Sequence, residues 1–214
     1  MTKFFLGVVL VGALIFLPAG SFSFFGGWLL LAVLFIPMFF AGIVMMVKNP
    51  SLLKSRLNAR EKDMEQKGVI GLSAIMFILG FVLAGLGERF SILTLPKEVS
   101  VIGAVIFLLG YLLYAEVLRE NTYLSRTVEV VEGQRVIDTG LYSVVRHPMY
   151  SVTLVLFFAM PIILGSALAI FPFLFYPFII AKRIRAEEAL LKKELGGYDD
   201  YCLRVKYRLI PFIW

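Results

Sequence analysis

The 214-residue chain has one cysteine, Cys202, and one histidine, His147. A single cysteine excludes an intrachain disulfide. One His and one Cys cannot supply the ligand set of a structural zinc site, so no metal is expected. Charge is scarce as well. Asp, Glu, Lys and Arg make up 17% of the residues, against about 25% in an ordinary soluble domain. The net charge of +6 does not mark a nucleic-acid binder, because no basic run is interleaved with aromatics. In an apolar chain, basic residues instead mark the cytoplasmic side of a membrane.

What fills the space left by charge is apolar. Hydrophobic residues form 60% of the chain and mean hydropathy is +0.88. Residues 4–47 carry no charge at all, and 68–87, 99–115 and 151–181 are equally bare. A helix needs about 20 such residues to cross a hydrocarbon core about 30 Å thick. The expected fold is therefore an all-α integral membrane protein. About four transmembrane helices, near 3–19, 27–47, 68–86 and 99–118, are expected, followed by a C-terminal membrane hairpin and a cytoplasmic cofactor pocket. The N-terminal run also has the look of a signal peptide, but the second apolar block behind it favours a two-span unit. Pro37 kinks the second span, which neighbouring helices absorb in a bilayer.

Residues 48–67 hold six basic and three acidic side chains. Leu53, Leu57 and Met64 share one helical face, which fits a helix lying in the membrane interface or a solvated loop helix. The turn at 88–98 holds only Arg89 and Lys97 as basic residues. The charge rule then puts both ends of the four-span unit in the cytoplasm. Two regions are expected: 1–118, with the segment 48–67, and 119–214, with the hairpin 151–181. Within the second, Thr127 to Val131 has the composition of a short β-like excursion.

Residues 151–181 would span about 46 Å as one helix, too long for one pass. A single crossing would also send the eight basic residues of 182–214 to the outer face. A hairpin turning near Gly165-Ser166 solves both problems. It brings Arg183, Glu187 and Glu188 back beside Arg146 and His147. Pro148 keeps His147 out of a helix and suits the first helical position. A helix start there offers free amides to an anion. On the returning helix, Arg183 and Glu187 are four apart and share a face. Cations on one wall and carboxylates on the other suit a zwitterion with an amino-acid end.

The motifs Arg146-His147-Pro148-Met149-Tyr150, Arg183, Glu187-Glu188, Gly196, Tyr198, Tyr201 and Arg208-Leu209-Ile210-Pro211 form an ordered set, with Asn121 and Tyr123-Leu124-Ser125 upstream. With them the last 95 residues or so resemble the isoprenylcysteine carboxyl methyltransferase family and its bacterial relatives, which share features with phospholipid methyltransferases. One departure is Val152, where the family has glycine; the spacing around Gly196-Gly197-Tyr198 is also one residue shorter than in some relatives.

The resemblance implies an S-adenosylmethionine-dependent methyltransferase acting on a lipophilic, membrane-embedded acceptor such as an isoprenoid carboxylate or a lipid amine. Arg146, His147 and Pro148 would hold the cofactor's carboxylate or ribose region, with Glu187 and its neighbour Glu188 at the amino group. Tyr142 and Tyr150 would line the adenine or the sulfonium, and Arg183 would orient the acceptor, making Arg183 and Glu187 the pair nearest the chemistry. The implied setting is the bacterial inner membrane, with both termini and the cofactor site cytoplasmic. Two other classes compete. A sterol-reductase-type NADPH enzyme has a similar membrane architecture, although a 2′-phosphate calls for more clustered Arg and fewer acids. A transporter or scaffold is disfavoured because the first four spans show almost no internal charge. Glu116 is either a cytoplasmic-edge residue or a group facing the pocket.

Overall fold

The computed structural model describes residues 2–48, 50, 53–54, 64–124 and 130–214. The helix expected at 48–67 and the β-like excursion at 127–131 lie largely outside them. The rest is helical: α1 (Thr2–Ala19), α2 (Phe25–Lys48), α3 (Met64–Phe90), α4 (Lys97–Glu120), a 3-10 turn (Gly140–Ser143), α5 (Pro148–Ile163), α6 (Ile170–Phe173), α7 (Tyr176–Glu194) and α8 (Tyr198–Arg204). Among the described residues there is no β-strand.

Among the described residues, three helices are long and apolar enough to cross a membrane: Phe25–Lys48, Lys67–Phe90 and Lys97–Glu120. The first expected span is shorter, with an apolar stretch of Phe4–Ala19, and Pro148–Ile163 is of the same short kind. These helices are apolar on every face. Leu72, Ile75, Ile102, Leu112 and Phe178 are exposed, while Ile15, Leu30, Ala84, Phe107, Ile163 and Phe173 are buried inside the bundle. A helix apolar all round belongs in lipid or a deep core, and exposed aliphatic belts on several helices make this an integral membrane protein.

Lipid removes the hydrophobic drive between helices, so close van der Waals packing must hold them. Gly103 of α4 shows how. A Cβ there would lie 2.9 Å from Ile162 Cγ2 and 3.0 Å from the backbone N of Ile163. The two helices therefore meet nearly backbone to backbone, and α5 packs along α4. Tyr111 of α4 donates its hydroxyl to the carbonyl of Leu34 on α2 at 2.8 Å, which satisfies its polar tip inside the bundle. One buried cluster runs continuously from Ile15 to Leu209.

The chain reverses after α5 at Gly165, which adopts φ +62°, a left-handed conformation that favours glycine. Side-chain contacts between α5 and α7 then run in opposite order. Thr153 meets Tyr176, Tyr150 meets Arg183 and Glu187, and His147 meets Glu188. That order defines an antiparallel hairpin. Its tip is tied to the α3–α4 turn by Leu95 N donating to Gly165 O at 2.7 Å and Ala167 N donating to Leu93 O at 2.9 Å. The sparsely charged turn and the hairpin tip therefore share one end of the bundle. His147 and Glu188 sit at the other.

Candidate functional site

The site is built where the base of the hairpin meets the C-terminal tail. His147 has φ −125° and ψ 60°, and Pro148 occupies the first position of α5, as the proline requires of itself and its predecessor. Arg146 N donates to Tyr207 O, and His147 N donates to Arg208 O, both at 2.9 Å. Ser151 Oγ donates to Leu209 O at 2.5 Å. The tail thus straps the Arg-His-Pro segment in a non-helical conformation, with the backbone donors of Arg146 and His147 satisfied.

Glu188 is the electrostatic centre. It is buried, and three cationic or potentially cationic groups converge on it. Arg146 Nε lies 2.8 Å from Oε1, His147 Nε2 lies 3.3 Å from the same oxygen, and Arg208 Nε donates to Oε2 at 2.7 Å. Burial alone would raise its pKa. The bonds from His147 and Arg208 and the charge of Arg146 overcome that and hold the carboxyl down at about 2. Arg146 also donates through Nη1 to the carbonyl of Val205 at 3.3 Å. Its Nε–H is not aligned with Glu188, so that contact is an ion pair rather than a hydrogen bond. The Arg208 guanidinium in turn lies over the Trp214 ring, 5.3 Å from its centroid.

One residue earlier on the same helix, Glu187 does something different. Its Oε2 accepts from the Tyr150 hydroxyl at 2.5 Å, and its Oε1 lies 3.8 Å from His147 Nδ1. Arg183 Nε donates to the Tyr150 oxygen at 2.9 Å. Arg183, Tyr150 and Glu187 form a chain of charge-assisted contacts across the hairpin, and the Tyr150 ring stacks near that of His147.

These groups open onto a half-open cleft at the base of the hairpin. Of the residues expected at the site, Tyr142, Arg146, His147, Tyr150, Arg183 and Glu187 line it. Glu188 lies behind the lining as the counter-charge for Arg146 and Arg208. Pro148 starts α5 but lines a separate apolar groove. Val152 lines that same groove, so the side chain that replaces the family's glycine points away from the cleft. Glu116 pairs with Arg119 at 2.6 Å on the surface and is not part of the lining.

Four contributions were not anticipated. The far wall comes from Asn121, Tyr123, Gln134, Arg135, Val136 and Ile137. Asn121 Nδ2 donates to the Tyr142 hydroxyl at 3.1 Å. Tyr201 donates to the Tyr142 carbonyl at 2.7 Å, and Arg208 serves Glu188 directly. Polarity was the available signal for this wall: Asn121, Tyr123, Gln134 and Arg135 follow the last residues of α4. Among the described residues, no group of three or more potential metal ligands occurs.

An all-helical membrane bundle with a charged cleft where its hairpin closes defines the class. Residues 100–193 match the isoprenylcysteine carboxyl methyltransferase (ICMT) family, and the resemblance read from the motifs is borne out over that stretch, which contains both walls of the hairpin. The chain is also 30% identical over 91 residues to a Delta(14)-sterol reductase of Mus musculus. That alignment covers 41% of this chain and 22% of the relative's length.

Proposed function

We propose that the protein is an S-adenosylmethionine-dependent methyltransferase whose acceptor is lipophilic and membrane-embedded, with residues 119–214 as the cofactor-binding region. The observation that carries this reading is the pairing of opposite charges on the two arms of one hairpin around an open cleft. Glu187 presents a carboxylate to an amino group, and Arg146, beside His147, gives the facing wall a cation. A zwitterionic amino-acid end fits between them, so the donor set suits the cofactor. Bound there, S-adenosylmethionine supplies an electrophilic methyl group on a sulfonium. The protein's part is to hold and orient. Tyr150 and Tyr142 offer ring faces to a cation, Tyr150 is fixed between Arg183 and Glu187, and Asn121, Tyr123 and Gln134 to Ile137 line the far side. Methyl transfer gains chiefly from such alignment in a dry site. Arg183 is placed to orient a polar or anionic acceptor head.

By the charge rule the site and both termini face the cytoplasm, as in a bacterial inner membrane. The acceptor then enters sideways from the bilayer and the cofactor from the aqueous side. A second reading, an NADPH-dependent reductase, draws on the similarity to the sterol reductase. The carboxylate of Glu187 in the cleft disfavours a nicotinamide-2′-phosphate there.

Calorimetric titration of the purified protein separates the two. Binding of S-adenosylhomocysteine, weakened about tenfold or more by Glu187→Gln and by His147→Ala, is the expected result. Binding of NADPH instead, or unchanged affinity in both variants, overturns the proposal.

A further inference from the structure

Tyr198 stands at the start of α8, and its ring is 4% exposed. It packs with Leu195, Tyr201 and Val205 in a small core of its own. Its ring centroid is 5.7 Å from that of Tyr201. The residue nevertheless lines the cleft.

Among the described residues, two buried side-chain polar atoms make no hydrogen bond: Arg146 Nε and the Tyr198 hydroxyl. Arg146 Nε is compensated by the ion pair with Glu188. The Tyr198 hydroxyl has no such compensation. A buried hydroxyl without a partner is destabilising, and in a native structure such a group calls for an explanation. The other tyrosine hydroxyls at the site are engaged. Tyr150 is held by Glu187 and Arg183, Tyr201 donates to Tyr142 O, and Tyr142 accepts from Asn121.

The position of Tyr198 indicates what its hydroxyl meets. It is near enough to Glu188, Glu187 and Arg146 to feel their charges. Burial, then the Glu188 carboxylate, holds its pKa well above the ordinary tyrosine value, so the proton stays on and the hydroxyl remains a donor. Its natural partner is an acceptor oxygen. Glu187 beside it suits an amino group, and Arg146 already gives Nη1 to Val205 O and faces Glu188 with Nε.

We infer that Tyr198 is a ligand-binding residue whose hydroxyl donates to the carboxylate at the amino-acid end of the bound cofactor. This inference rests on the methyltransferase reading. A hydrogen bond from a neutral donor to a charged acceptor is stronger than a neutral pair.

Tyr198→Phe tests it with two probes: S-adenosylhomocysteine, and 5′-methylthioadenosine, which shares the nucleoside but lacks the amino-acid end. The variant should bind S-adenosylhomocysteine about 10- to 100-fold more weakly and methylthioadenosine as wild type does. Its unliganded thermal midpoint should be unchanged or raised, because an unpaired buried hydroxyl has been removed. Equal affinity for S-adenosylhomocysteine in variant and wild type overturns the inference. Equal weakening of both probes moves the hydroxyl to the nucleoside and overturns the carboxylate assignment. A lowered midpoint makes the hydroxyl a structural group and overturns it too. Absence of S-adenosylhomocysteine binding in the wild type overturns the methyltransferase reading, and this inference with it.

Discussion

The α5–α7 hairpin is held at its two ends by different means. At the tip, Gly165 turns the chain and backbone hydrogen bonds link it to Leu93 and Leu95. At the base, Glu188 gathers Arg146, His147 and Arg208, while Tyr150 bridges Arg183 and Glu187. The tip needs only a particular backbone shape. The base depends on charges that are buried and matched, and such matching is stringent because an unmatched charge in a low dielectric is costly. The cleft opens at the base, where ionic groups are already desolvated and fixed before a ligand arrives.

Removing Glu188 should give the largest effect. Glu188→Ala leaves the buried Arg146 and the half-buried Arg208 without their counter-charge and should cost about 3–5 kcal/mol. Thermal unfolding in detergent would read this, and a midpoint equal to wild type would show that the base is not held by charge. Acid sharpens the same point. The Glu188 pKa is depressed in the folded state, so its stabilising contribution is complete above the unfolded carboxyl value near 4.5 and is lost as pH falls from there through about 2. Wild type should weaken over that window, and Glu188→Ala should lose that part of the acid sensitivity.

Tyr150→Phe should come next. It deletes one hydroxyl that serves both Glu187 and Arg183, for a loss of about 2 kcal/mol and a measurable fall in S-adenosylhomocysteine affinity by calorimetry. Gly165→Ala should have the smallest effect. Its left-handed φ of +62° costs a side-chain-bearing residue about 1–2 kcal/mol, and the new Cβ would sit 3.0 Å from Ser100 Oγ. Ligand affinity should not change, because the tip lies at the far end of the hairpin. An affinity loss as large as that of Tyr150→Phe would break the distinction between tip and base.

Much of this was legible in the residues alone. Long uncharged stretches announce membrane helices, because no water is present in hydrocarbon to solvate a charge or an open backbone. The first span, expected over 3–19, is the helix Thr2–Ala19, and the chain leaves it at Gly20. The Arg-His-Pro step carried its own local geometry, and hairpin length together with basic-residue count implied that His147 and Glu187 meet. Other features had no local signature. Glu187 and Glu188 are adjacent, and nothing in their order says which one faces the cleft. On α7 they point about 100° apart, so the packing of α7 against α5 and the tail sends one to the opening and the other inward.

The sequence by itself determined the all-helical membrane architecture, the fold-back between Pro148 and Ala181, and the two charged motifs that the fold-back joins. All of these follow from hydropathy, helix geometry and the stereochemistry of proline and glycine, which act over short stretches of chain. Only the tertiary structure decided that Glu188 is a buried counter-ion, that Arg208 completes its cage, that Val152 faces away from the cleft, and that the hydroxyl of Tyr198 is left without a partner. Those outcomes depend on which surfaces touch across 20 to 60 residues of chain, and on whether each polar atom brought there finds its complement.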